Sequence, residues 1–135
     1  MHWVGISGSL RKGSYNTMLL RAAAELLPNE VTMEIVSIAD IPLYNGDLDL
    51  PIAPRRPAII DNFRNTLQLA DGLVVASPEY NYSIPGGLKN AIDWASRGQD
   101  SPLLHKPIAL IGATPGMWGT TRMQLSFKPY SCFLT

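Results

Sequence analysis

Strand-like and helix-like patterns alternate along this chain, and that alternation restricts the fold more than any other feature. An apolar run over residues 2–7 ends at Gly8-Ser9 and reads as a strand. From Tyr15 to Leu27, the residues Tyr15, Met18, Leu19, Ala22, Ala23, Leu26 and Leu27 form one helical stripe. Ser14 or Asn16 stands near its start and Pro28 beyond its end. Residues 31–38 are β-branched and partly alternating, a second strand. Residues 40–57 carry four prolines and Asn45-Gly46 and read as a long loop. Ile60, Phe63, Leu67 and Ala70 mark a second helix. Residues 72–77 are a continuous apolar run, as in a strand buried on both faces. Leu88, Ala91, Ile92 and Ala95 mark a third helix, and residues 108–113 a fourth buried strand. A fourth helix begins within residues 119–127, where Pro129 is expected to stop it.

The order βαβαβαβα specifies an α/β fold: a doubly wound parallel sheet with helices on both faces and right-handed connections. In such sheets ligands bind beyond the carboxyl ends of the strands, where strand order reverses. For a flavodoxin-like order that point lies between the first and third strands, so the loops after Ser7 and Ser77 are the ones to read. The chain's 135 residues supply one domain, and 46% apolar residues supply its core. No repeat or linker divides it. Eleven basic and eleven acidic residues cancel, which argues against a nucleic-acid partner and against a strongly acidic electron carrier. Cys132 is alone, so neither an internal disulfide nor a CxxC pair exists. No apolar run approaches the ~18–20 residues of a membrane span, and the first residues lack a signal-peptide pattern. The expectation is a soluble cytoplasmic protein with no membrane partner.

The loop Gly8-Ser-Leu-Arg-Lys-Gly-Ser-Tyr-Asn16 joins the first strand to the first helix. The hydroxyls of Ser9 and Ser14, the Asn16 amide and the free N–H groups at the helix start are expected to converge on one phosphate-sized spot, with Arg11 adding charge. A Walker A loop fails because Gly13 is followed by Ser14-Tyr15 rather than Lys and Ser or Thr. A GxGxxG fingerprint fails because Gly5 and Gly8 are wrongly spaced. The alternative is an ordinary Ser/Gly-rich turn capping a helix.

The second loop, Ser77-Pro-Glu-Tyr-Asn-Tyr-Ser-Ile-Pro-Gly-Gly87, offers the aromatic faces of Tyr80 and Tyr82 beside Glu79, Asn81 and backbone N–H groups. Pro78 fixes the strand exit, and a planar heteroaromatic ring with a polar edge suits such a platform. A Pro/Gly-rich connector with locally packed tyrosines is the plainer alternative. Thr114-Pro-Gly-Met-Trp-Gly-Thr120 follows the fourth strand and could edge the same crevice. Elsewhere, His2 and His105 lack a ligand-spaced partner, and no metal site is expected. Asp47, Asp49, Arg55 and Arg56 read as solvated loop charges, and Asp40 ends the second strand where a dinucleotide fold would put a ribose-binding acid, a role the missing GxGxxG argues against.

At these residues the chain resembles the NADPH-dependent FMN reductase family, which includes chromate, quinone and azo-dye reductases. The likeness rests on Gly8-Ser-Leu-Arg11 with Ser14 and Asn16, and on Ser77-Pro-Glu-Tyr-Asn81 running through Ser83, Ile84, Pro85, Gly86 and Leu88 to Trp94. It covers roughly residues 2–126. It implies non-covalent FMN, its phosphate held by Ser9, Arg11, Ser14 and Asn16 and the backbone around Tyr15. Pro78, Glu79, Tyr80 and Asn81 would border the isoalloxazine ring, with Gly116 a weaker match on the third loop. It implies an oxidoreductase that passes hydride from NADPH or NADH to FMN and then to a quinone, free flavin, azo dye or chromate. No side chain is assigned as acid or base. A homo-oligomer, dimer or tetramer, is a further implication. The alternatives are a flavodoxin-type electron-transfer module and an inactive truncated remnant.

A flavodoxin-like sheet has five strands in the order 2-1-3-4-5, whereas four are legible, in the order 2-1-3-4. Beyond Phe127 the sequence departs from the family. The expectation is one domain over residues 1–135, incomplete at its C-terminus, with its fifth strand missing. One face of residues 73–75 and 108–111 would then lack cover, giving a weakly stable or oligomeric product.

Overall fold

The computed structural model describes the backbone of residues 1–132 and side chains as far as Lys128. Four strands, β1 (His2–Ser7), β2 (Thr32–Val36), β3 (Gly72–Ala76) and β4 (Ile108–Ile111), form one sheet in the order β2-β1-β3-β4. All pairs are parallel, with Trp3 beside Met33 and Gly72, Ser7 beside Ala76, and Leu73 beside Ile108. Four helices connect and follow them: α1 (Tyr15–Glu25), α2 (Ala58–Leu69), α3 (Gly86–Ala95) and α4 (Thr121–Cys132). None is long and apolar enough to cross a membrane.

Strand alternation sorts the core into two layers. Val4, Ile6, Leu73 and Val75 point one way and pack with Phe63 and Leu67 of α2, Leu88 and Ile92 of α3, and Met123 and Phe127 of α4. Val74 and Ala76 point the other way and meet Leu20 of α1, with Trp3, Met33, Ile35 and Ile111 around them. The bare face expected over residues 73–75 is therefore absent, because Leu20 reaches across β1 to β3. Leu73, Val74 and Val75 are at most 5% exposed. The two edge strands are thinly covered: in β4 Ala109 is exposed and its three neighbours are half-buried, so the bare face expected over residues 108–111 is partly present and the strand is not fully buried, and in β2 Thr32 and Glu34 are exposed.

Three local expectations also change. The fourth helix continues through Pro129 to Cys132. Proline there removes one bond to the carbonyl of Leu125, an exposed residue whose oxygen water can serve. Asp49 and Arg56 are not solvated but buried, at 2% and 6% exposure. The Arg56 Nε donates to Asp49 Oδ1 at 2.6 Å and its Nη1 to Asp100 Oδ2 at 3.1 Å, which compensates both buried charges. The long loop is further held by α3. Asn90 Nδ2 and Trp94 Nε1 each donate to the Pro42 carbonyl at 2.8 Å, and the Tyr44 N–H donates to Asn90 Oδ1 at 2.8 Å.

Candidate functional site

The carboxyl ends of β1, β3 and β4 are tied at one level. The Gly8 N–H donates to the Ala76 carbonyl at 2.8 Å and the Ser77 N–H to that of Ile111 at 3.0 Å. Three loops open from this crest: residues 8–14, 77–85 and 112–120. They approach so closely that side chains are excluded at two points. A Cβ on Gly8 would lie 2.5 Å from Ser77 Oγ. One on Gly112 would lie 2.3 Å from Thr120 Oγ1 and 2.8 Å from the Ser77 carbonyl oxygen. The latter is backbone and cannot turn aside. Gly112→Ala is expected to cost about 1–3 kcal/mol by overpacking, read as a lower urea midpoint.

The first loop is built around three serines. Ser14 caps α1, its Oγ accepting the Thr17 N–H at 3.3 Å. Ser7 Oγ accepts from Thr17 Oγ1 at 2.9 Å and donates to the Ser9 carbonyl at 3.3 Å. Ser9 Oγ accepts the Arg11 N–H at 3.4 Å. Ser9 and Ser14 are buried, and among the described residues their hydroxyl protons meet no acceptor. The N–H groups of Tyr15 and Asn16, in the first turn of α1, have no helical acceptor either. These donors, with a glycine-lined backbone and exposed Arg11 folded 5.4 Å over the Tyr15 ring, suit an anion. Asn16 differs from expectation. Its Oδ1 accepts the Ala113 N–H at 2.9 Å and its Nδ2 donates to the Ala113 carbonyl at 3.1 Å. Its amide therefore ties the first loop to the third, which leaves only its backbone N–H for an anion.

The second loop is a tight turn. Tyr80 and Ser83 exchange N–H···O bonds of 3.0 Å, while Asn81 and Tyr82 between them have φ of 49° and 65°. Asparagine tolerates that left-handed conformation, whereas tyrosine rarely adopts it. Half-buried Pro78 leads into the turn, and both tyrosine rings remain exposed. Gly86 meets open space, so the first turn of α3 beside them is clear.

Glu79, expected at a ring edge, faces α4 instead. Its Oε2 accepts the N–H groups of Arg122 at 2.9 Å and Met123 at 3.2 Å, and its Oε1 the Arg122 guanidinium at 3.1 Å. Burial opposes its ionisation, but the hydrogen bonds from Arg122 and Met123 outweigh it and hold the carboxyl below its usual range. Arg122 also lies 4.3 Å over the Tyr82 ring and 5.1 Å over that of Trp118. It thus joins the second loop, the third loop and α4, a role with no local sequence signal because Glu79 lies 43 residues away. Because the folded carboxyl titrates below the unfolded value of about 4.3, this clasp stabilises above that pH and loosens as pH falls through the folded value. Trp118 emission is expected to shift below about pH 4, and Glu79→Gln to remove that shift.

The third loop forms the rim. Gly116 is exposed, and its N–H donates to Thr114 Oγ1 at 3.2 Å. The nearest atom to a Cβ there would be 3.6 Å away, so space does not demand glycine. Met117 and Trp118 stand out into solvent. Among the described residues no His, Cys, Asp and Glu group is arranged to hold a metal ion.

Residues 1–134 match the model of the NADPH-dependent FMN reductase family. The chain is 47% identical over 131 residues to an NAD(P)H-dependent FMN reductase of Pseudomonas aeruginosa, covering 97% of this chain and 69% of that one. It is 43% identical over 132 residues to a quinone reductase of Escherichia coli K12, with the same coverage. Among solved structures, FerB, a flavoenzyme NAD(P)H:(acceptor) oxidoreductase of Paracoccus denitrificans, superposes with a TM-score of 0.87 at 32% identity, covering 98% of this chain and 71% of that one. With the parallel β2-β1-β3-β4 sheet and the three joined loops, these likenesses settle the family: the chain belongs to the NADPH-dependent FMN reductases.

Proposed function

We propose that this chain is an FMN-dependent NAD(P)H oxidoreductase whose final acceptor is a small molecule, with quinones first among the candidates. The observation that carries the reading is the set of unspent donors in the first loop: the Ser9 and Ser14 hydroxyls and the Tyr15 and Asn16 amides beside Arg11. They fit a phosphate monoester, and their place beside β3 fits a ligand that continues over the second loop. In this reading Ser9, Arg11, Ser14 and the backbone of Tyr15 and Asn16 hold the FMN phosphate. Pro78, Tyr80 and Asn81 border the isoalloxazine, and Gly116 edges it. Asn16 and Glu79 position, through Ala113 and Arg122, the loops that do the bordering.

Bound FMN supplies the hydride-accepting and hydride-donating chemistry. The protein would bind and orient the ring, and we assign no acid or base among its side chains. Quinones are placed first because one named relative is a quinone reductase; free flavin, azo dyes and chromate are the other candidates. A homo-oligomer working in the cytoplasm belongs to the same proposal. A flavodoxin-type carrier is disfavoured by zero net charge, since such carriers dock through charge complementarity.

The test is a visible spectrum followed by turnover. Purified protein is expected to be yellow, to release FMN on denaturation, and to oxidise NADPH continuously when a quinone is supplied. Flavin without turnover would point to a carrier. Colourless protein that cannot be reconstituted with FMN would overturn the reading.

A further inference from the structure

We propose that the crevice between β1 and β2, on the far side of the first loop from β3, is a second anion site that takes a phosphomonoester carried on an apolar or aromatic body. A cavity of about 380 Å³ lies there. Its charged lining residues are Arg11, Lys12 and Arg21, and no carboxylate lines it. In a chain whose eleven basic and eleven acidic residues cancel, this is a concentrated positive field. The cations that form ion pairs, Arg56, Arg64, Lys89 and Arg122, all stand elsewhere. Lys12 and Arg21 have no partner among the described residues. Like charges gathered around a cavity repel, and an anion between them removes that cost.

The rest of the lining specifies what accompanies the anion. Exposed Leu10 and half-buried Ile35 and Val36 present apolar surface, suited to a ring or alkyl body. Ser37 Oγ accepts the Ala39 N–H at 3.2 Å, which leaves its proton to donate. The volume is at the lower end of the ~300–1,000 Å³ of small-molecule sites, room for part of a nucleotide rather than a whole dinucleotide. Ser9 and Arg11, both assigned to the flavin cradle, line this cavity as well, so the two sites share one wall. Lys12 and Arg21 have no part in that cradle.

One phosphomonoester is the 2′-phosphate of NADPH, a form of the proposal that rests on the oxidoreductase reading. The other is a free phosphorylated metabolite. Adenosine 2′,5′-bisphosphate, titrated calorimetrically into the full chain, is the probe. Binding is expected, and Lys12→Gln with Arg21→Gln should weaken it about ten- to a hundredfold, as for lost charge-assisted contacts. FMN affinity should not change. If KM for NADPH rises by the same factor while KM for NADH stays constant, the electron donor is the source. If neither KM moves, the source is a free phosphomonoester. No binding to the unaltered chain, equal binding to the double variant, or a parallel rise in both KM values would overturn the proposal. So would a matching loss of FMN affinity, which would make the cavity part of the flavin cradle. A chain that takes up no FMN fails the oxidoreductase reading alone, because the bisphosphate titration still reports on this cavity.

Discussion

Arg64→Met is expected to lower stability by about 3–5 kcal/mol, the cost of breaking a buried charged network. Arg64 is 5% exposed on α2. Its Nη1 donates to the carbonyls of Trp94 at 2.8 Å and Ala95 at 3.0 Å, and its Nη2 to those of Arg97 at 3.2 Å and Asp100 at 3.1 Å. Carbonyls at a helix C-terminus have no acceptor role within the helix, so this guanidinium does for the end of α3 what a capping motif usually does. It also pairs with Asp100 Oδ2 at 3.0 Å. Methionine preserves the apolar stem and removes every donor, which strips the Trp94 carbonyl of this partner and leaves that of Ala95 only the Ser101 hydroxyl at 3.0 Å. Against a typical margin of ~5–15 kcal/mol, that loss should shift the urea midpoint markedly. Arg55→Met, at an exposed position without such bonds, is the matched control. Equal midpoints for the two variants would refute the assignment. Acid should reach the same network through Asp100. Burial opposes its ionisation, but Arg56 and Arg64 outweigh that and hold its carboxyl below the usual range. Its contribution is therefore present above the unfolded value of about 3.9 and lost as pH falls through the folded one. Its side chain is 59% exposed, so solvent screening keeps that share modest.

This network marks the limit of what periodicity discloses. Spacing discloses the four strands and four helices and narrows the cap of α1 to Ser14 or Asn16, because each is a local matter. The sheet order came with the flavodoxin-like resemblance, which right-handed βαβ connections allow but do not dictate. What stayed hidden depends on partners distant in sequence. Asp49 and Arg56 look like ordinary loop charges until Asp100 closes the cluster from 44 residues away. Asn16 reads as a phosphate ligand until Ala113, 97 residues later, takes both ends of its amide. Glu79 reads as a ring contact until α4 presents its first N–H groups. In each case the polar residue type is legible, and the distant partner that fixes its role is not. The error over β3 has a different origin. Cover follows side-chain reach rather than the number of helices, and Leu20 of α1 packs on Val74 and Ala76 of β3.

Ser9→Ala and Arg11→Ala should each weaken FMN binding about ten- to a hundredfold, since a hydrogen bond to a charged group is worth ~1.5–3 kcal/mol. Both changes should leave folding nearly intact, which makes them better probes than their neighbours. Ser9 Oγ makes one long bond, to the Arg11 N–H at 3.4 Å, so its removal sacrifices little within the loop. Arg11 is exposed, and its contact with Tyr15 is a stacking one at 5.4 Å. Ser14→Ala would instead remove the cap of α1, worth roughly 1 kcal/mol, and confuse binding with stability. Asn16→Ala would release Ala113 and with it the third loop. Titrating apoprotein with FMN, beside a urea midpoint for each variant, separates the effects. A large loss of affinity at an unchanged midpoint places the phosphate against Ser9 and Arg11. Unchanged affinity in both variants would take the Ser9 hydroxyl and the Arg11 guanidinium out of the phosphate site, since neither substitution touches the other donors of the loop, the Ser14 hydroxyl and the backbone N–H groups of Tyr15 and Asn16.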